Sequence, residues 1–287
     1  MAKNAKVRDK SLKIPKSILL TAQFLQAISL KFATQFAAKL FTTPQKHKMP
    51  KRELEMDAKS GQQKLKIPGI NKEIMLYHYG NSPRKILLVH GWSGRGTQLV
   101  KIADALLEKG YSTISFDAPA HGKSSGTTTL MPEFIASILE IDKQFGPFEA
   151  AVGHSLGGMS LLNAIKKGLK IQHLVTIGSG DIVKDIMDDF TSKLQMKNQI
   201  SNRMRIHFEK ESGESMHDFS AYLAAKEIDI PVLVIHDNDD DEVPVKCGIH
   251  IHKNLKNGQL MLTNGLGHRK ILGNDEVIEK VIDFINQ

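Results

Sequence analysis

The run Ala150-Ala151-Val152-Gly153-His154-Ser155-Leu156-Gly157, continuing into an apolar segment over 159–167, decides the fold. Ala150-Ala151-Val152 reads as the end of a strand, 153–157 as a tight turn and 159–167 as a helix. A serine at the apex of such a turn is held clear of the backbone. Gly153 and Gly157 let the strand and helix pass where a β-carbon would clash. The helix starts with unpaired amides and the positive end of its dipole, directed to where a negative charge would develop beside Ser155. Glycine and serine are also common in ordinary turns, so the motif has a purely local reading as well. The choice depends on whether the other groups such a serine needs are present.

Outward from the turn, the chain is rhythmic. Ile86-Leu87-Leu88-Val89 reads as a buried strand, 99–108 as a helix, 112–116 as a strand and 132–145 as a helix; after the turn come a strand over 174–177, a strand in Pro231-Val232-Leu233-Val234-Ile235, another over 259–262 and a closing helix over 276–285. Short apolar strands alternating with helices imply right-handed crossovers and a mostly parallel central sheet with helices on both faces, an α/β fold. Two earlier strands, 63–67 and 73–79, flank a Pro68-Gly69 turn. The rhythm lapses over 181–229, where scattered methionines and phenylalanines predict helices inserted over the sheet.

In open α/β sheets functional groups gather at the carboxyl ends of strands, and four polar clusters lie there. His90-Gly91-Trp92 follows Val89, and its amides could face Ser155; the Trp92 indole has a pocket and a core reading, both open. Asp117-Ala118-Pro119-Ala120-His121-Gly122-Lys123-Ser124 reads as loop architecture. The acidic run from Asp237 to Glu242 precedes Val243-Pro244. As a calcium loop counted from Asp237 it would need glycine sixth and glutamate twelfth, where it has Glu242 and Gly248. Gly265-Leu266-Gly267-His268-Arg269 puts a histidine among glycines, unlike a core histidine. His250 and His252 would share a face only on a strand and lack a recognisable third ligand, so no metal site is expected.

Serine, acid and histidine thus follow one another at 155, 240 and 268, and with His90-Gly91-Trp92 and Asp-x-x-Val-Pro the chain from about residue 64 onward resembles the α/β-hydrolase superfamily, with a short helical cap. The resemblance implies Ser155 as nucleophile, His268 as general base and then acid, and Asp240 as the group orienting His268. It places an oxyanion hole at the amides of Leu156 and Trp92, and makes Gly153, His154, Gly157, His90 and Gly91 supporting positions. Asp240 is selected because the family pattern His-Gly-x-x-Asp-x-x-Val-Pro sets the acid four residues before proline; here Asp237 stands in place of the usual glycine. The implied activity is cleavage of a small-molecule carboxylic ester or thioester with a small to medium acyl group through an acyl-enzyme, without metal or organic cofactor. Other readings of the fold stay open: a lipase or lysophospholipase at a membrane, a cofactor-free lyase or haloperoxidase, a small-peptide hydrolase, or a non-catalytic binding protein.

The bulk properties fit this. At 287 residues the chain can bury one sizeable core, and 41% hydrophobic with 24% charged residues is ordinary for a globular protein. The single cysteine, Cys247, cannot form an internal disulfide, which fits a reducing, cytoplasmic compartment. Residues 1–52 carry twelve basic side chains against one acid, Asp9, a net +11, so 53–287 hold −3 of the chain's total of +8. A mildly acidic body argues against a nucleic-acid groove. The reading therefore divides the chain into a basic N-terminal extension, 1–52, and a hydrolase domain, 53–287, with the cap at about 181–229.

Within the extension, the first sixteen residues read as polar and mobile. Leu20, Phe24, Ile28, Phe32, Phe36 and Leu40 then recur every four residues, predicting one amphipathic helix over 17–41. Glutamines and Lys31 interrupt it too often for a transmembrane span, and a secretory signal fits poorly. Its apolar face would meet the main domain or a second copy in a homodimer. Alternatively it would make a peripheral contact with the inner membrane surface, using its lysines.

Overall fold

A computed structural model describes residues 14–287. The chain runs through α1 (Lys16–Ile28), α2 (Leu30–Thr42), α3 (Leu54–Lys59), β1 (Gly61–Ile67), β2 (Lys72–Tyr79), β3 (Lys85–Val89), α4 (Val100–Glu108), β4 (Ser112–Asp117), α5 (Met131–Phe145), β5 (Ala150–His154) and α6 (Leu156–Lys166). It continues through β6 (His173–Ile177), α7 (Val183–Lys193), α8 (Asn198–Ser212), α9 (Ala221–Ala225), β7 (Val232–Asp237), α10 (Lys246–Asn254), β8 (Gly258–Thr263), α11 (Gly267–Lys270) and α12 (Asp275–Ile285). The expectation for the first sixteen residues falls, up to residue 13, outside the described residues.

The eight strands form one sheet in the order β1-β2-β4-β3-β5-β6-β7-β8. β1 and β2 pair antiparallel, as do β2 and β4, and from β4 through β8 every pairing is parallel. Two-residue periodicity sorts the core into layers. Leu87 and Val89 of β3 pack with α5, α6 and the inserted helices, while Ile86 and Leu88 pack against α4 and α12 on the other face. All four side chains are essentially inaccessible, each contributing about 1.5–3 kcal/mol through burial. The closing helix α12 starts where Asn274 accepts a hydrogen bond from the Val277 amide, with Asp275 and Glu276 in its first turn complementing the dipole.

Residues 181–229 form α7, a 3-10 turn over Met216–Phe219, α8 and α9. Met204, Phe208, Met216 and Phe219 are buried in the same apolar layer as α5 and α6. The sequence cast these methionines and aromatics as inserted helices over the sheet, and that is where they lie.

The N-terminal segment departs from the expected single helix. It breaks at Ser29, whose backbone is extended (φ −157°, ψ 122°), into α1 and α2. Nor do the apolar residues spaced by four share one face. Phe36 and Leu40 pack inward, and Phe41 sets its ring 5.1 Å from Phe190 of α7 and 6.0 Å from Phe208 of α8. Leu20, Phe24, Ile28 and Phe32 are 54–66% exposed. The break accounts for this: a four-residue spacing carried across the extended Ser29 does not define a face of one continuous helix. No helix among the described residues is long and apolar enough to cross a membrane.

Candidate active site

β5 ends at His154, and Ser155 follows with φ 53° and ψ −120° before α6 begins. A non-glycine residue rarely adopts this backbone, at a cost on the order of 1–3 kcal/mol, and it persists only where the surroundings enforce it. Here they do so through close approach. A β-carbon on Gly157 would meet Val89 O at 2.3 Å and His90 O at 2.7 Å, and one on Gly153 would meet the Gly157 carbonyl carbon at 2.7 Å. The turn thus lets α6 lie directly over β3 and β5. Ser155 is further held by its amide, which donates to Ile177 O (2.9 Å).

The loop after β3 closes on this turn. A β-carbon on Gly91 would lie 2.9 Å from Ser155 Cβ, so the Gly91-Trp92 peptide passes beside the serine. Side chains from neighbouring segments brace the loop. Gln98 Oε1 accepts the Gly91 amide (2.9 Å), and His121 Nε2 accepts the Ser93 amide (3.1 Å). His90 Nε2 accepts the Ala118 amide (3.0 Å), while its Nδ1–H donates to Gly91 O (2.7 Å). Trp92 is about one-third exposed and meets the His121 ring edge-on at 5.5 Å, so its indole is neither core nor free of the loop. Burial holds His90 and His121 neutral, lowering them to about 4 and about 3. Among the described residues the amides of Trp92 and Leu156, which directly follow Gly91 and Ser155, donate to no protein group.

The acid and histidine come from the loops after β7 and β8. His268 Nδ1–H donates to Asp240 Oδ2 at 2.7 Å, both residues being buried. Asp240 Oδ1 accepts the amides of Glu242 (2.9 Å) and Val243 (2.8 Å), and Oδ2 lies 3.5 Å from His236 Nε2. Burial raises its pKa, but the hydrogen bonds from His236 and His268 outweigh that and hold the carboxyl well below the usual range. With Nδ1 donating, Nε2 of His268 is left to accept a proton. Two features bring this pair to the Ser155 end of the sheet. His154 Nε2–H donates to His268 O (2.9 Å), with the two rings 4.6 Å apart. Gly178, next after β6, lies against both members: a β-carbon there would sit 3.2 Å from His268 Nδ1 and 3.4 Å from Asp240 Oδ2.

Sequence reasoning missed Asp237 as a site residue. Standing where the family pattern has glycine, it is fully buried. Its Oδ2 accepts Thr263 Oγ1–H (2.6 Å) and the Leu266 amide (3.1 Å), and its Oδ1 accepts the amides of Gly267 (2.9 Å) and Asp239 (3.0 Å). It therefore ties the Asp240 loop to the His268 loop. Its position at the end of a fully buried strand was the available signal. Asp117 does similar work, accepting the Gly96 and Lys123 amides (both 2.7 Å) and Tyr77 Oη–H (2.9 Å). His250 and His252 lie on α10 rather than on a strand, and His250 pairs with Asp181 (2.5 Å).

Two cavities flank this end of the molecule. One, about 190 Å³, is lined by Lys46, Ser93, Arg95, Asp117 and His121; the other, about 260 Å³, lies among Val183, Met187, Arg205 and Met216 of the inserted helices. Neither is lined by Ser155 or His268.

The sheet and its flanking helices have the α/β-hydrolase fold. Residues 85–205 match the model of the alpha/beta hydrolase fold. It is similar to an esterase from Exiguobacterium antarcticum (19% identity, 76% of this chain and 97% of that one, TM-score 0.61) and to a bromoperoxidase from Bacillus anthracis (20%, 79% and 100%, 0.61). A third similar structure is a membrane phospholipase A described as a bacterial virulence factor (16%, 95% and 98%, 0.63). At such identities these likenesses define the fold. No curated protein matches the sequence.

Proposed function

We propose that the protein is a serine hydrolase that cleaves a carboxylic ester or thioester of a small to medium acyl group. The observation carrying this reading is that Ser155, in its enforced backbone conformation, has two unpaired amides and a His268–Asp240 pair gathered at the same sheet end. Ser155 Oγ attacks the acyl carbon while its proton passes to His268 Nε2, and the oxyanion is held by the amides of Leu156 and Trp92. Asp240 stabilises the resulting imidazolium. The tetrahedral intermediate collapses, His268 protonates the departing alkoxide or thiolate, and the acyl group remains on Ser155. Water deprotonated by His268 then cleaves that ester, releasing the acid and restoring the serine. The similar esterase supports an ester as the bond broken.

We also place the protein in a reducing cytoplasm. Cys247, the only cysteine in the sequence, is partly buried, and burial pushes its thiol up to about 11, a pairing-free and weakly reactive state.

The test is a fluorophosphonate probe together with a panel of esters of graded acyl length, run on the parent and on Ser155→Ala. Labelling confined to the parent, with turnover reduced by about three orders of magnitude or more in the variant, is expected. Ester cleavage at the parental rate by Ser155→Ala would sink the mechanism. An unlabelled parent that nonetheless cleaves esters would move the reaction to a nucleophile other than Ser155.

A further inference from the structure

We infer that the N-terminal helix pair docks the protein on an anionic lipid surface through Leu20, Phe24, Ile28 and Phe32. Among the described residues these four are half of the eight large hydrophobic side chains that are conspicuously exposed, Leu20, Phe24 and Ile28 at four-residue spacing on α1 and Phe32 in the first turn of α2. The opposite sides of the same helices are accounted for: Ala22, Ala33, Ala37 and Ala38 are buried, and Phe36, Leu40 and Phe41 pack on the core. The exposed stripe is thus left over after the helices have satisfied their place in the fold.

Charge identifies the occupant. From Lys10 through Arg52 the sequence contains no acidic residue, and Lys16, Lys31 and Lys39 on the helices, with Lys46 and Lys48 just after them, are all exposed. A second copy meeting this face with its own would bring two strongly basic segments within about one Debye length, roughly 8 Å, and repel it. An anionic bilayer turns the same charges into attraction while apolar side chains enter the headgroup boundary. The docked surface is also coupled to the candidate site. Gln26 Oε1 accepts the Lys197 amide (2.6 Å) between the inserted helices α7 and α8, and the Gln45 amide donates to Ser93 Oγ (2.9 Å) in the loop beside Ser155. The helix pair and the segment after it are thus hydrogen-bonded to the inserted helices and to the loop after β3.

The test is sedimentation of the full chain with phosphatidylcholine vesicles and with mixed phosphatidylcholine–phosphatidylglycerol vesicles, using Ser155→Ala protein so that hydrolysis plays no part. Binding to the anionic vesicles, weakened by salt, is expected, with affinity falling about tenfold or more in Leu20→Ser/Phe24→Ser/Phe32→Ser. Lys16→Gln/Lys31→Gln/Lys39→Gln should lose most of the preference for anionic lipid. Circular dichroism checks that each variant is folded, and none of the six residues belongs to the candidate site. Absence of binding to anionic vesicles, or unchanged binding by the folded stripe variant, overturns the inference. So does a concentration-dependent dimer abolished by the stripe variant without vesicle binding, which would assign the face to a second copy.

Discussion

Asp240 and His268 share a 2.7 Å hydrogen bond in which Nδ1 donates, leaving Nε2 of His268 as the proton acceptor. In Asp240→Asn the amide fills the same space but can present N–H to Nδ1, which moves the ring proton to Nε2 and removes the base. Turnover of an ester should fall by about 10⁴ with little change in KM. Asp241→Asn, a change of an exposed neighbour in the same acidic run, should stay near the parent. Steady-state kinetics on the two variants decide the matter, and the reverse pattern would move the acid to Asp241.

Asp237 links the loops carrying Asp240 and His268 through four accepted hydrogen bonds. Asp237→Gly, which restores the residue usual in the family pattern, strands the Thr263 hydroxyl and three amides near the protein interior. Stability should drop by about 3 kcal/mol, since bonds to a charged acceptor are worth about 1.5–3 kcal/mol each and part of the loss is recovered by water. Urea unfolding measures this. A variant as stable as the parent would show that the glycine pattern and the aspartate are interchangeable here.

Gly157→Ala tests the close passage of α6 over β3. Its new methyl group would stand 2.3 Å from Val89 O, a backbone atom that cannot swing aside as a side chain can. The strand or the turn must move, at a cost of about 1–3 kcal/mol or more. Gly69→Ala is the control, because nothing lies within 4 Å of a β-carbon there. Thermal unfolding of both should show a lowered Tm for the first alone.

Much of this was legible in the sequence, for reasons tied to particular residues. Each strand from β3 to β8 was expected within a few residues of where it lies, because both of its faces are covered or it ends in a polar cluster. The elbow was legible because Gly153 and Gly157 are demanded by backbone contacts under 3 Å. Helix α10 was not: of its nine residues only Gly248 and Ile251 are buried, too few to make a periodic signal. The break at Ser29 was hidden because the four-residue apolar spacing runs unchanged through it and no proline or glycine marks the interruption. Asp237 was noticed as a departure but not as a brace, since its partners Thr263, Leu266 and Gly267 come from a loop 26–30 residues away.

Burial of His90, His121 and His154 predicts a loss of stability in mild acid. Burial lowers their pKa values from 6.5 to about 4, about 3 and about 3. The unfolded chain therefore takes up protons below pH 6.5 that the native state refuses, and the proton-rich unfolded state gains as pH falls. For groups lowered on folding, stability is fully present above the unfolded value and is lost as pH drops towards the folded one. Three such groups give a slope approaching ~4 kcal/mol per pH unit between about pH 6 and 4. The local consequence falls on the loop beside Ser155. Nε2 of His90 and of His121 accept the Ala118 and Ser93 amides, and a protonated ring would set N–H against N–H at both. Urea unfolding at pH 7, 6 and 5 should show a steep decline, and His121→Gln, which can still accept the Ser93 amide, should flatten it by about one third. Equal slopes in the parent and the variant would mean that His121 titrates normally in the folded protein and does not hold the loop as a neutral acceptor.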